Sequence, residues 1–85
     1  MWLLKYTQEA RKDFHSLDKD ALQQIIKKLE QIAQKEPLHL EKVEGYNYHK
    51  VRAGDYRALV ILDYKAKIIE VRRAGHRKKI YKGLQ

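Results

Sequence analysis

Residues 46–57 read YNYHKVRAGDYR, and this stretch predicts two β-strands joined by a tight turn. Gly54 and Asp55 supply the turn signal, and β-prone residues lie on both sides of it. Because side chains alternate between the two faces of a strand, Lys50 and Arg52 point the same way. One face of this hairpin is therefore cationic, with two tyrosines beside the cations, and its other face can pack on a core.

The second strand of the hairpin begins near Arg57, and an antiparallel return would bring Arg57 close to Arg52. A second basic and aromatic group lies near the C-terminus, where residues 76–81 read HRKKIY. We therefore interpret the chain as a scaffold that brings these two groups together.

The composition predicts one small domain over residues 1–85. Hydrophobic residues make up 44% of the chain, enough for a packed core, and the formal net charge is +8. That excess favours a polyanion, most simply nucleic acid, or an acidic protein as partner. The chain has no cysteine, which excludes disulfides and thiolate metal sites. It also lacks an apolar run near the ~18–20 residues that a membrane span needs, so we expect no membrane contact. The lack of cysteine fits a reducing cytosol, and residues 1–5 are too short and too soon interrupted for a signal peptide, so we expect a cytoplasmic protein.

The pattern ahead of the hairpin predicts one strand and two helices. Residues 2–6 are predicted as the first strand, and Thr7 is predicted to cap the first helix. Asp18 or Asp20 caps a second, longer helix, in which apolar residues recur at steps of three and four. Pro37 ends that helix, because proline disfavours helical backbone in the residue before it.

The remaining segments predict two more strands and a tail. Residues 38–44 are predicted as a loop, residues 56–64 as a central strand that is apolar on both faces, and residues 67–74 as a fourth strand. The tail over 78–84 is predicted either as one short helical turn or as a loose segment. The predicted class is α+β in the order β-α-α-β-β-β, an antiparallel-rich four-stranded sheet with an N-terminal helical hairpin packed on one face. We expect the opposite face to be an open, concave and basic surface.

Three features together resemble the RelE/ParE toxin superfamily: the element order, residues 50–57 (KVRAGDYR) and residues 75–81 (GHRKKIY). The resemblance covers essentially the whole chain and implies a RelE-like fold. It is closer to RelE-type ribonucleases than to ParE-type gyrase inhibitors, because the strand cations and the terminal tyrosine are present. It implies a toxin of a type II toxin–antitoxin system that cuts mRNA in the ribosomal A site, close to ribosomal RNA, without a metal or cofactor. It also implies a small cognate antitoxin protein that inhibits it.

The implied reaction is attack of an RNA 2′-hydroxyl on the adjacent phosphate, which gives a 2′,3′-cyclic phosphate and a free 5′-hydroxyl. Cations must stabilise the charged phosphorane. The resemblance assigns Lys50 and Arg52 to paired basic positions and Arg57 to the scissile phosphate. Arginine suits this task, because its planar fork binds phosphate oxygens in pairs.

The C-terminal segment supplies the rest of the implied catalytic set. By resemblance, Arg77 assists the leaving oxygen and Tyr81 stacks on a base and orients it. His76 is a candidate acid or base, since histidine is the side chain that titrates closest to neutral pH.

Each of these residues also has an ordinary structural interpretation. The two strand cations would form a solvated edge, Arg57 would pair with Asp55 or Glu70, His76 would be a surface histidine, and Tyr81 would anchor the tail by packing. Two other functions therefore remain open. One is a ParE-like toxin that inhibits DNA gyrase by binding, and the other is a non-catalytic RNA-binding module.

Overall fold

The computed structural model describes residues 1–35 and 37–82, and within these ranges the strands form a single mixed sheet. The elements are β1 (Leu3–Tyr6), α1 (Gln8–His15), α2 (Lys19–Ala33), β2 (Glu41–Lys42), β3 (His49–Ala53), β4 (Tyr56–Asp63) and β5 (Ile68–His76). The strand order across the sheet is β1-β5-β4-β3-β2. The predicted α+β class with the two helices ahead of the hairpin is confirmed.

In the described part of the chain the sheet has five strands, one more than predicted. The additional strand, β2, lies within the segment predicted as a loop and pairs antiparallel with β3, Glu41 opposite Lys50 and Lys42 opposite His49. A strand of two residues is too short to show an alternating pattern, so its sequence gave no signal. At the other edge, β1 pairs in parallel with β5, while the remaining pairs are antiparallel.

Both helices begin at side-chain caps. The Thr7 hydroxyl oxygen accepts a hydrogen bond from the Ala10 N–H at 3.1 Å and donates to the Val71 carbonyl at 3.2 Å, which ties α1 to β5. Asp18 Oδ1 accepts from the Ala21 N–H at 2.8 Å. Asp18, and not Asp20, is therefore the cap of α2.

The main core lies between the helices and one face of the sheet. From α2, Ile25 and Leu29 are fully buried, and they belong to the same cluster as Val60 of β4 and Ile69 and Val71 of β5, which are also fully buried. The apolar stripe of α2 is thus the surface that fixes the helices on the sheet.

The second face of the sheet is not wholly open, and the prediction of an uncovered face was wrong in this respect. Leu59 of β4 is fully buried there, in a small cluster with Val43 and Ile80, and Tyr46 and Tyr48 pack against that cluster. Burial of Leu59, Val43 and Ile80 together removes apolar area from water, and this favours the position of the tail and of residues 43–48 over the sheet.

The tail makes turns over residues 77–82, so the helical-turn alternative holds for this part, and residues 83–84 of that prediction lie outside the described residues. The Ile80 N–H donates to the His76 carbonyl at 2.9 Å. No helix in the described ranges is long and apolar enough to cross a membrane.

The turn between β3 and β4 fixes the register of the hairpin. It has two residues, and Gly54 has a φ of 61°, as in a type II′ turn. This turn sets Ala53 opposite Tyr56 and Arg52 opposite Arg57. The prediction that the antiparallel return brings Arg57 close to Arg52 is therefore confirmed.

Replacement of Asp18 by alanine should lower the free energy of unfolding by about 1 kcal/mol, because the Ala21 N–H loses its acceptor. Asp20→Ala is the matched control, since Asp20 lies in the first turn of the same helix and should contribute only ~0.3 kcal/mol through the helix dipole. Urea unfolding followed by circular dichroism measures both. Equal losses in the two variants would contradict the assignment of the cap.

Candidate functional site

Three of the residues predicted for the site lie together on the second face of the sheet. Val51 and Ala53 belong to the helix-side core, so the alternating Lys50 and Arg52 point to the other face. Arg52 is directly opposite Arg57 on β4. Residues opposite one another in an antiparallel pair have Cβ atoms roughly 4.5–5.5 Å apart, and like charges there are destabilising. This arrangement therefore favours an anion close to the pair.

Arg57 is oriented by the backbone and not by a carboxylate. Its Nη1 donates to the Gly54 carbonyl at 2.9 Å and to the Tyr56 carbonyl at 2.8 Å. Its Nε and Nη2 make no hydrogen bond to the described residues. Asp55 and Glu70, the partners that a purely structural role would give Arg57, contact other arginines instead. Arg57 is thus a fixed cation with one edge of its guanidinium available.

An internal carboxylate lies beside these cations, and the sequence analysis missed it. Arg52 Nη2 donates to both Glu41 carboxylate oxygens at 3.1 Å, and Lys50 Nζ lies 3.2 Å from Glu41 Oε2. The hydrogen bond from Lys50 is the main cause that lowers the pKa of Glu41, and the charges of Arg52 and Arg57 act in the same direction. Only the pairing of β2 with β3 places Glu41 here, and the predicted loop contained no signal for it.

A fourth cation of this face, Arg73, also escaped the sequence analysis. A β-bulge shifts the register between β4 and β5, so that Arg73 lies opposite Leu59. Arg73 Nε donates to Asp13 Oδ2 at 2.8 Å, and the same oxygen accepts the Ala74 N–H at 3.0 Å. The hydrogen bond to Asp13 raises the pKa of Arg73. Asp13 therefore joins α1 to the part of β5 that lies beyond β1, and it compensates the charge of Arg73.

His76 is not grouped with the cations. It pairs with Tyr56, and the two rings meet edge to face with centroids 5.5 Å apart. Tyr56 packs against the helix-side core, which places the His76 ring on the face opposite to Arg57. The His76 Nδ1 also accepts a hydrogen bond from the Lys78 N–H at 3.1 Å.

The two remaining predicted residues lie on the tail. The Arg77 N–H donates to the Asp55 carbonyl at 2.8 Å, and Arg77 Nε is 3.9 Å from Asp55 Oδ1. Arg77 is thus at the hairpin turn, at the same end of the sheet as Arg52 and Arg57. Tyr81 follows the buried Ile80, is 38% exposed, and makes no hydrogen bond or ring contact within the described chain.

In the described ranges no three histidine, aspartate or glutamate side chains are grouped so that they could hold a metal ion. The second face of the sheet presents the positive charges of Lys50, Arg52 and Arg57 to a ligand. The hydrogen-bond donors of Arg57 are held in a fixed position. This is an arrangement that binds phosphate oxygens.

A family profile described as "ParE toxin of type II toxin-antitoxin system, parDE" matches residues 4–81. The chain belongs to this toxin family. None of the curated protein sequences compared with it gives a significant match. Solved RelE toxins have the same fold, so the predicted membership of the RelE/ParE superfamily is confirmed.

The fold of this toxin is similar to that of solved RelE proteins. The toxin–antitoxin complex RelBE2 from Mycobacterium tuberculosis matches with a TM-score of 0.75 and 25% identity, covering 89% of this chain and 98% of that one. The intact RelBE complex from E. coli matches with a TM-score of 0.74 and 20% identity, covering 89% and 96%. The RelB–RelE complex from Methanococcus jannaschii matches with a TM-score of 0.72 and 24% identity, covering 95% of this chain and 99% of that one.

Asp13→Ala should destabilise this toxin by about 1–3 kcal/mol, because it removes the acceptor of both the Arg73 guanidinium and the Ala74 N–H from a half-buried position. Asp13→Asn is the matched control, since an amide oxygen can still accept from Ala74 and only the charge is lost, and its cost should be clearly smaller. Chemical unfolding of the three proteins measures the difference. Two variants as stable as the parent protein would show that Asp13 does not join α1 to β5.

Proposed function

We propose that this toxin is an endoribonuclease that binds a phosphodiester of mRNA between Arg52 and Arg57 and promotes attack by the neighbouring 2′-hydroxyl. The observation that carries the proposal is the pair of arginines facing each other across β3 and β4. A like-charge pair at such a position costs stability, and a bound phosphate would offset that cost.

The bonds that form and break in this reaction belong to the RNA, so the protein has little covalent chemistry to perform. The 2′-oxygen loses its proton and bonds to phosphorus, the bond from phosphorus to the 5′-oxygen breaks, and that oxygen takes up a proton. Negative charge grows on the non-bridging oxygens at the transition state. Donors that are already aimed at the site stabilise this charge without reorganisation. Arg57 fits this role best, because two backbone carbonyls fix its guanidinium.

The other members of the predicted set have supporting roles in this proposal. Arg77, at the same end of the sheet, is assigned to the charge on the leaving 5′-oxygen, and Tyr81 to stacking on a base. Stacking of an aromatic ring on a base contributes roughly 1–3 kcal/mol. No step of the reaction is assigned to His76. Its ring would first have to lose the contact with Tyr56 and the hydrogen bond from the Lys78 N–H.

The ribosome as the place of cleavage rests on the resemblance to RelE-type toxins. The net charge of +8 supports it, because a strongly basic chain accumulates on ribosomal RNA. The same charge would bring the toxin to any RNA, so cleavage has to be measured on translating ribosomes and on free RNA separately.

Arg57→Ala should reduce mRNA cleavage by about 10²–10³-fold, the usual loss when one preorganised donor to a developing oxyanion is removed. The measurement is mapping of mRNA 5′-ends after induction in bacteria, repeated on purified ribosomes. Arg11→Ala is the matched control, because it removes an exposed arginine of α1, a helix that packs on the other face of the sheet. Equal cleavage by the parent protein and by Arg57→Ala would reject the role of Arg57.

A second candidate function follows from the family profile, whose description is that of ParE toxins. In that case the toxin inhibits DNA gyrase by binding, and the cationic face is incidental. A gyrase supercoiling assay separates the two proposals. Inhibited supercoiling with intact mRNA would favour gyrase, and RNA binding without cleavage on translating ribosomes would favour a non-catalytic RNA-binding module.

An antitoxin is the expected protein partner. The solved RelE neighbours described above are complexes with RelB-type antitoxins, and the charge of +8 favours an acidic partner. We therefore predict that co-expression of a small acidic protein encoded beside this toxin restores the growth of cells that produce it. Growth curves with each flanking gene measure this, and no rescue by any of them would contradict the prediction.

A further inference from the structure

We propose that Glu41 is an internal anion that occupies the phosphate-binding position and must be displaced when RNA binds. The inference rests on the proposed function, because it concerns what competes with RNA phosphate at the cations that function uses. It assigns Glu41 a positioning role, through its contacts with Lys50 and Arg52, and no part in the chemical step.

The contacts of Glu41 match those that a phosphate would make. Each carboxylate oxygen lies 3.1 Å from Arg52 Nη2, and one of them lies 3.2 Å from Lys50 Nζ. A carboxylate and a phosphodiester each carry one negative charge and present two oxygens to an arginine. A phosphate that binds Arg52 Nη2 and Lys50 Nζ has to displace the carboxylate from these donors, and two negative charges side by side would repel each other.

The position of the ion pair between Arg52 and Glu41 allows Arg52 to exchange the carboxylate for a phosphate. The side chains of Arg52 and Glu41 are 61% and 51% exposed, and exposed ion pairs contribute little to stability. Glu41 also lies on β2, an edge strand of only two residues. Displacement of its carboxylate therefore disturbs little of the fold.

The other cation of the pair does not depend on Glu41. Arg57 makes its hydrogen bonds to Gly54 and Tyr56, and Glu41 receives none from it. A phosphate can therefore first bind Arg57, after which Arg52 moves from Glu41 to the same phosphate. Glu41 sets the affinity of the site, and Arg52 contributes to RNA binding only to the extent that Glu41 releases it.

The test compares Glu41→Gln with Glu44→Gln. Both variants remove one negative charge from the same segment, but Glu44 is exposed and makes no contact with the cations. The probe is a fluorescent single-stranded RNA that is 2′-O-methylated throughout, which cannot be cleaved by 2′-hydroxyl attack. Its binding is measured by anisotropy at 50 mM and 200 mM salt, and circular dichroism confirms that each variant is folded.

Glu41→Gln should bind this RNA about twofold to fivefold more tightly than the parent protein, the upper part of the range expected when an exposed competing ion pair is removed. Glu44→Gln should change the affinity by less than about twofold, since screening weakens a charge that makes no contact. Arg52→Ala should weaken binding more in the Glu41→Gln background than in the parent protein, because Arg52 is then free to bind phosphate.

Three results would overturn the proposal. They are equal affinities for Glu41→Gln and Glu44→Gln, weaker binding by Glu41→Gln, and loss of cleavage with unchanged binding, which would make Glu41 a participant in the chemical step. A titration with inorganic phosphate, followed through the Arg52 and Arg57 Nε–H resonances by NMR, separates this proposal from the function. Tighter phosphate binding by Glu41→Gln supports the displacement of Glu41 even where no RNA is bound or cut, and in that case only the nuclease proposal fails.

Discussion

Two arginines that face each other across neighbouring strands are the constraint on which the rest of this site depends. Arg52 and Arg57 are opposite because the turn between β3 and β4 has two residues, and Gly54 supplies the positive φ that such a turn requires. Their repulsion is compensated in two different ways. Backbone carbonyls fix Arg57, and the Glu41 carboxylate neutralises Arg52. The site thus places a cation held by backbone carbonyls beside one held by a carboxylate.

The small size of the chain explains how the surroundings of this pair are built. The helices cover one face of the sheet, and among the described residues Ile80 and Val43 bury Leu59 on the second face. That second cluster fixes the tail close to the hairpin turn and so brings Arg77 near Asp55. The rest of the face keeps its charged side chains in contact with solvent, where a polyanion can reach them.

Membership of this superfamily shows the fold but not the activity, because one fold can carry different sites and act on different targets. The profile match is to ParE toxins, while the solved structures described here are RelE proteins. The choice between inhibition by binding and cleavage of RNA therefore depends on the side chains of the second face. Our proposal of catalysis rests on the donors of Arg57, which two carbonyls orient, and it gives no role to His76, whose ring lies against Tyr56.

The sequence by itself determined the elements with strong local signals. Neighbouring residues alone determine three features: the apolar period of α2, the Thr7 cap and the glycine turn of residues 53–56. Alternation along β3 also correctly predicted that Lys50 and Arg52 share a face. The superfamily also followed from the element order together with two short segments. Only the tertiary structure decided which partners these residues meet. Glu41 reaches the cations through a two-residue strand, Asp13 reaches Arg73 across 60 residues of chain, and a bulge in β5 selects Arg73 for the cationic face. Such contacts depend on register and on packing between distant segments, and no local pattern of residues records either of them.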